Sequence, residues 1–478
     1  MSAAACVAAA CALLAPATGL GAGARVSAKP RLSPAVGAGV TDHVSRCGKG
    51  RPLRLAIDAP AGRTVSVDGR TPRGGSFDAK VSLRKGQSTQ IVVRSRGHAR
   101  RHHVRCLPEG FPHYRFERHR RPGAQWYLVA PSETRGDTER ERYVAMLDGH
   151  GTPVWWMRSK RSPFNSLLLP DGNIAWTRWF GDPFGQRAES AWEIHRLDGS
   201  RVRVLKTVGS PADTHEMEPL PNGNFVLTTY RLRRNVDVSG YGGPDSGNVV
   251  DGEIQEIDRA GEVVWSWSSK DHIKPSETQR LYSRILPDGT PVYDVFHLNS
   301  VAPDGNGYVI SARHVNAVYR IDRATGDVDW KLGGTKRPES LKPVGDPLSP
   351  TFGAQHDARV LPDGTITVFD NRSDIGPPRG VRFEIDRKAG TARWLGQVTD
   401  PKAPVSGSEG SARRLPDGHW AVSWGGTPVM SELTRNNELV WRLKFRTVIN
   451  YRMTPIPTGT LNPSRLRRAM NRMFPRPG

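Results

Sequence analysis

The chain is 478 residues long and carries a formal net charge of +22, from 69 Lys and Arg against 47 Asp and Glu. A hydrophobic fraction of 37% excludes a multi-span membrane protein. With 50 glycines and 38 prolines, well above the roughly 12% of an average chain, it favours short strands and turns over long helices. Such a positive surface attracts anions of any kind, and charge alone does not choose among nucleic acid, anionic lipid and small sulfated esters.

Residues 1–30 read as a leader. The first 24, MSAAACVAAACALLAPATGLGAGA, are apolar and small and are followed by the first basic residue, Arg25. They suit a secretory signal peptide without the usual basic start and are too short to span a bilayer comfortably. A disordered Ala/Gly-rich N-terminus is the alternative. Removal of the leader takes Cys6 and Cys11 with it and leaves Cys47 and Cys106, for which a disulfide is the default in an exported protein. Residues 31–112 carry short alternating segments (LRLAID, TVSVDG, AKVSL, TQIVV, HHVRC) between Gly and Pro turns, the pattern of a small β-sandwich. His102 and His103, in a basic run, are expected to be solvated strand residues. Pro108 to Pro122 reads as a linker.

Residues 113–460 are repetitive. One element is a strand running into an LPxG turn, at Leu169, Leu220, Leu361 and Leu415, with a variant at Ala302; Pro-Asp-Gly and Pro-Asn-Gly supply the fixed and the positive φ of a tight hairpin. A further LPDG at 286–289 is assigned to an insertion. The second element is a strand, a Gly turn and a strand ending in Trp155, Trp265, Trp330, Trp394 or Trp441, with a degenerate copy near Leu205. The two alternate about every 50–60 residues, within the range of propeller blades. Two hairpins per period make a four-stranded blade, so the fold class is all-β: a six-bladed β-propeller preceded by a small β-sandwich. The basic tail, 461–478, is either a short helix or disordered.

Counting back five residues from the turn Leu (or Ala302) gives His215, His297 and His356 in three repeats, and Phe164 and Gly410 in two others. If these strands are innermost, the imidazoles meet near one mouth of a channel. Asn299, two residues after His297, shares its orientation by strand alternation. Counting forward ten from the turn Pro gives Arg231, Arg313 and Arg372, which could grip an anion bidentately; a solvated edge is the simpler reading of Arg231 and Arg372. Asp213, Glu216, Glu218 and Asp357 read as neighbours on the opposite strand face, with a contact from a carboxylate to an imidazole as the alternative.

The stretches DTHEMEPLPNGN, HLNSVAPDGNGYVISARHVNAVYRIDRATGDVDWKLGG, FGAQHDARVLPDGTITVFDN and EGSARRLPDGHWAVSWG resemble the bacterial arylsulfotransferase family, in its actinobacterial-type branch. The resemblance implies a six-bladed propeller that moves a sulfuryl group from an aryl sulfate donor to a phenolic acceptor without a nucleotide sulfate donor, cofactor or metal. It implies a sulfohistidine at His356, with His215, His297, Asn299 and Arg313 as its companions. On this expectation Arg313 and Asn299 hold the equatorial oxygens, and His215 or His297 exchanges the proton with the phenol. Neither nucleic acid nor stable membrane insertion is expected, and the location is secreted or at the cell envelope. Two other classes stay open: a non-catalytic propeller binding anionic ligands, and a metal-dependent hydrolase. The absence of channel carboxylates and of HxH or HExxH spacing counts against the last.

Overall fold

The computed structural model describes residues 24–37, 39–48, 51–132 and 142–476. Residues 1–23 of the leader, including Cys6 and Cys11, lie outside this set.

Two small sheets come first. Arg25–Lys29, at the end of the expected leader, pairs with Leu53–Ala59, which pairs with Gly75–Val81; Asp42–Arg46, His98–Leu107, Ser88–Ser95 and Arg63–Val67 form the second sheet. Leu53, Leu55 and Ile57 alternate with exposed residues and meet Val65, Val67, Ile91 and Val104 in one core, the period-two pattern of a half-buried strand. Cys47 and Cys106 form a disulfide with Cα atoms 5.5 Å apart. His102 is not solvated as expected. Strand alternation turns it inward, where its Nδ1 lies 3.0 Å from Nε2 of the buried His43.

Six antiparallel sheets follow among the described residues, and the LPxG turns explain their hairpins. In four of them the Gly N–H donates to the Leu carbonyl at 2.9 Å, with φ of +81° at Gly172, +87° at Gly223, +77° at Gly364 and +85° at Gly418. That left-handed region disfavours every residue with a Cβ. Four sheets begin on the strands Ser166–Leu168, Ala212–Pro219, Leu298–Asp304 and His356–Val360, and a fifth on Ser411–Arg414. The sixth combines the two ends of the repeat region, because Thr454–Ile456 pairs with Trp126–Val129. Tyr114–Arg118, inside the stretch read as a linker, is a strand paired with Leu439–Phe445. Both joints bring chain from before the repeats against chain at their end. The Trp residues closing the second hairpins fill the spaces between sheets: Trp155 and Trp441 share one cluster, Trp330 occupies another, and Trp265 and Trp394 pack at cluster margins.

The LPDG at 286–289 does lie in an insertion. Its hairpin, Tyr282–Ile285 with Pro291–Asp294, pairs parallel to Gly247–Ile257 through Val249 and Val250. The basic tail holds a helix, Pro463–Met473, capped by Asn462, with Leu466, Ala469 and Met470 buried. Met470 Sγ accepts from the Trp156 N–H at 3.5 Å. No helix among the described residues is long and apolar enough to cross a membrane. Met470→Ala should lower unfolding stability by about 2–5 kcal/mol, the usual cost of emptying a buried Met site. The exposed Arg468→Ala should change it by less than about 0.5 kcal/mol; urea titration of both variants checks the docking of the helix.

Candidate functional site

The equal offset from the turns brings the three expected histidines together. Ring centroids of His215 and His297 are 4.9 Å apart, and those of His297 and His356 6.5 Å. Phe164, from the equivalent position one sheet earlier, stands edge-on to His215 at 6.4 Å. A sixth residue joins them: Tyr451 lies 6.2 Å from His356, 5.7 Å from His215 and stacks on Phe164 at 4.8 Å. Tyr451 is five residues before Ile456 in the run Ile456-Pro457-Thr458-Gly459, whose Gly459 has φ +91°. This is a sixth copy of the turn with Ile for Leu, so Tyr451 was detectable from the spacing. Gly410 holds the remaining position at φ +105°; a Cβ there would sit 2.2 Å from the Phe369 ring, which is why no side chain completes the circle.

Each imidazole is oriented through Nδ1. His215 Nδ1 donates to Asp213 Oδ2 at 2.9 Å, and Asp213 also accepts from Thr228 Oγ1 at 3.0 Å. His297 Nδ1 donates to Asp294 Oδ2 at 2.6 Å. His356 Nδ1 donates to Asn371 Oδ1 at 2.7 Å, while Asn371 Nδ2 donates to Ser406 Oγ and the Glu409 carbonyl. This network puts the proton on Nδ1 and the lone pair on Nε2 of each ring. All three are buried, and burial keeps them neutral: it holds His297 down to about 3, against the pull of Asp294, and His356, with Arg313 nearby, far below the ordinary imidazole range. Carboxylates are therefore present at the channel, contrary to the expectation. Asp213 touches its imidazole rather than turning to the opposite face, and Asp294 arrives from the inserted hairpin, outside the repeat.

Arg313 is buried beside this set. Its Nη1 donates to His314 Nε2 and its Nη2 to the Gly407 carbonyl, both at 2.8 Å, and Nε has no partner. Its guanidinium lies 5.3 Å from the Tyr282 ring of the inserted hairpin. A buried cation whose contacts are all neutral is costly unless an anion completes it. Of the other two arginines, Arg231 is part-exposed and bonded to Glu253. Arg372 is buried, against expectation, with Nη1 3.7 Å from Asp370 Oδ2. Asn299 does not follow simple alternation, because the pairing register shifts between Leu298 and Ser300. Its Nδ2 is committed to the Gln355 carbonyl at 2.8 Å and its Oδ1 is an unmet buried acceptor.

Asp294, His297 and His314 have potential ligand atoms within 4.8 Å of one another. The 2.6 Å contact between Asp294 and His297 is a hydrogen bond, whereas atoms each held at roughly 2.0–2.2 Å by a tetrahedral zinc stand more than about 3 Å apart. Arg313 against His314 is a further argument against a cation there.

The arrangement, an all-β chain with neutral imidazoles beside an unneutralised guanidinium, defines an anion-handling centre. The arylsulfotransferase (ASST) family profile matches residues 184–446. That is more than half of the chain, and the chain belongs to this family. No protein among those with curated descriptions matches it. Similar solved structures include a protein of unknown function from Bacteroides caccae, at 14% identity over 70% of this chain and 99% of that one, with a TM-score of 0.41. Catalytically inactive virginiamycin B lyase from Staphylococcus aureus with quinupristin has 11% identity, coverages of 73% and 90%, and a TM-score of 0.35. The Cps50 (Swd1) β-propeller domain from Myceliophteria thermophila has 11% identity, coverages of 71% and 88%, and a TM-score of 0.36.

The depressed imidazoles make the fold acid-sensitive. Between about pH 6.5 and about 3 the unfolded chain binds a proton at His297 that the folded chain refuses, so stability present above this window is lost as pH falls through it. Thermal unfolding followed from pH 7 to 4 should show a falling midpoint, and His297→Gln should make that fall shallower.

Proposed function

We propose that this protein is an aryl-sulfate sulfotransferase built as a six-bladed propeller (113–460) behind a small N-terminal β-sandwich (31–112), secreted or held at the cell envelope after loss of its leader. It moves a sulfuryl group from an aryl sulfate donor to a phenol in two steps through His356, with no nucleotide sulfate donor. The observation that carries the reading is Arg313, a buried guanidinium without a carboxylate partner, beside three neutral imidazoles. A sulfate ester would supply the missing negative charge.

His356 is the best-suited nucleophile. Asn371 fixes its proton on Nδ1, and a neutral Nε2 lone pair attacks sulfur without first losing a proton. The Glu409 N–H that meets Nε2 at 3.2 Å is a long, weak bond that the attack displaces. Arg313 opposes charge on the sulfuryl oxygens, His215 and His297 flank the group, and the unmet Oδ1 of Asn299 offers an acceptor for a phenolic hydroxyl. Phe164 stacks on Tyr451 and, at 4.4 Å, on Trp179, an aromatic wall suited to an aryl ring. The excess of basic residues steers anionic esters inward.

Purified protein incubated with 4-nitrophenyl sulfate and a phenol acceptor should release nitrophenol in an acceptor-dependent, chelator-insensitive way. His356→Ala should abolish release, and Arg313→Ala should lower it by about 10²–10³-fold. Loss of activity with chelator would point instead to a metal-dependent hydrolase, and silence of the wild type to a binding propeller.

A further inference from the structure

Gly410 leaves one place in the ring of side chains empty, and the residue before it brings a carboxyl to that gap. Glu409 has a left-handed φ of +62°, a conformation that costs a non-glycine residue energy and persists where its surroundings hold it. Here the holding groups are those of the site itself. The Glu409 carbonyl accepts from Asn371 Nδ2 at 2.8 Å, its N–H meets His356 Nε2 at 3.2 Å, and the same Asn371 orients His356 Nδ1. Glu409 is thus fastened to the imidazole on both sides. Its Oε2 is out of solvent and has no hydrogen-bond partner.

The charged and titratable groups packed around this segment are already engaged elsewhere. His356 is neutral, Arg313 bonds the Gly407 carbonyl, Arg372 faces Asp370, and Tyr451 takes a hydrogen bond from Arg452. A carboxyl without a counter-charge or donor prefers its neutral form, and burial alone pushes Glu409 up to about 8. His297, held near 3, carries no spare proton at neutral pH. The proton exchange expected of His215 or His297 therefore has a better-placed candidate.

We propose that Glu409 is the proton-carrying residue of the sulfuryl transfer, an inference that rests on the transferase reading above. In the first step His356 Nε2 forms a bond to sulfur, the bond from sulfur to the aryl oxygen breaks, and the Glu409 acid proton passes to the departing phenolate. This leaves neutral phenol, sulfohistidine and a Glu409 carboxylate. In the second step the acceptor phenol gives its proton to that carboxylate while its oxygen attacks sulfur. The bond between sulfur and Nε2 breaks, and neutral His356 and the Glu409 acid are restored.

The test compares wild type with the near-isosteric Glu409→Gln on 4-nitrophenyl sulfate and on phenyl sulfate, whose phenolate is a far poorer leaving group. Proton assistance matters most for the poor leaving group, so the variant should lose about 10²–10⁴-fold on phenyl sulfate and far less on 4-nitrophenyl sulfate. The wild-type rate on phenyl sulfate should fall as pH rises past about 8, and that limb should vanish in the variant. Independently of activity, infrared difference spectra of wild type minus variant should show a protonated-carboxyl band at neutral pH that fades above the same pH. Equal losses on both donors, a retained alkaline limb, or no such band at neutral pH would overturn the role of Glu409 and leave the transferase reading standing. A wild type that releases no nitrophenol, or a His356→Ala variant that still does, would overturn that reading and the role of Glu409 with it.

Discussion

A buried ionic layer sits directly beneath the ring of imidazoles and aromatics, and the ring's geometry depends on it. It is drawn from residues one and three places after the ring position: Glu216, Asp357 and Arg452 at the first, Glu218, Arg359 and Arg413 at the second. Arg359 bonds Glu216 Oε2 at 2.5 Å and Asp357 Oδ1 at 2.9 Å, Arg413 grips Asp357 with two bonds of 2.7 Å, and Arg452 reaches Glu216 Oε1 at 3.0 Å. These contacts tie together strands from four sheets. Because His215, His356 and Tyr451 are the immediate neighbours of Glu216, Asp357 and Arg452, fixing the charges fixes the rings. Such a layer is a demanding device, since removal of one partner strands a buried charge at a cost of about 3–5 kcal/mol. Its value here is in register rather than in net stability.

The layer also colours the site above it. Asp357 is held ionised by Arg413 and Arg359 against the effect of burial, whereas burial, only partly offset by Arg359, pushes Glu218 up to about 7. With Glu218 only partly ionised, the three guanidiniums outweigh their carboxylates. The neutral imidazoles therefore face a positive floor on one side and Arg313 on the other. An anion gains from both, and a metal cation would have to overcome both.

Much of this was legible in the sequence because a repeat converts spacing into position. The LPxG turns located His215, His297 and His356 before any coordinates, and the ten-residue offset located Arg313. The same arithmetic missed Tyr451, since its turn carries Ile456 in place of Leu and its strand pairs with the far end of the repeat region. Asp294 and Asn371 escaped for a different reason: they orient the imidazoles from an inserted hairpin and from the end of a strand, where the repeat has no rule. Alternation failed at Asn299 because the register shifts there, and similar shifts occur beside His215 and His356. These bulges let consecutive residues such as His356 and Asp357 serve the ring and the ionic layer in turn. The strand at Tyr114–Arg118 was read as a linker because its partner, Leu439–Phe445, lies more than three hundred residues away and no local pattern announces it.

The departures from the repeat make an otherwise regular arrangement chemically one-sided. A strictly repeated ring would present the same side chain six times around the axis, with no direction to its field. Here Phe164 and Tyr451 form an apolar arc and His215, His297 and His356 a basic one. The hairpin inserted before His297 adds Asp294 below that imidazole and sets Tyr282 against Arg313 above it. Arg280 of the same insertion crosses to the next sheet, bonding Asp374 and the Ser373 carbonyl at 2.8 and 2.9 Å. The insertion is thus braced at both ends, by the parallel pairing at Val249 and by Arg280. It orients His297 and His314 with one carboxylate while covering the guanidinium with one ring, two tasks that no strand bound to the common spacing performs.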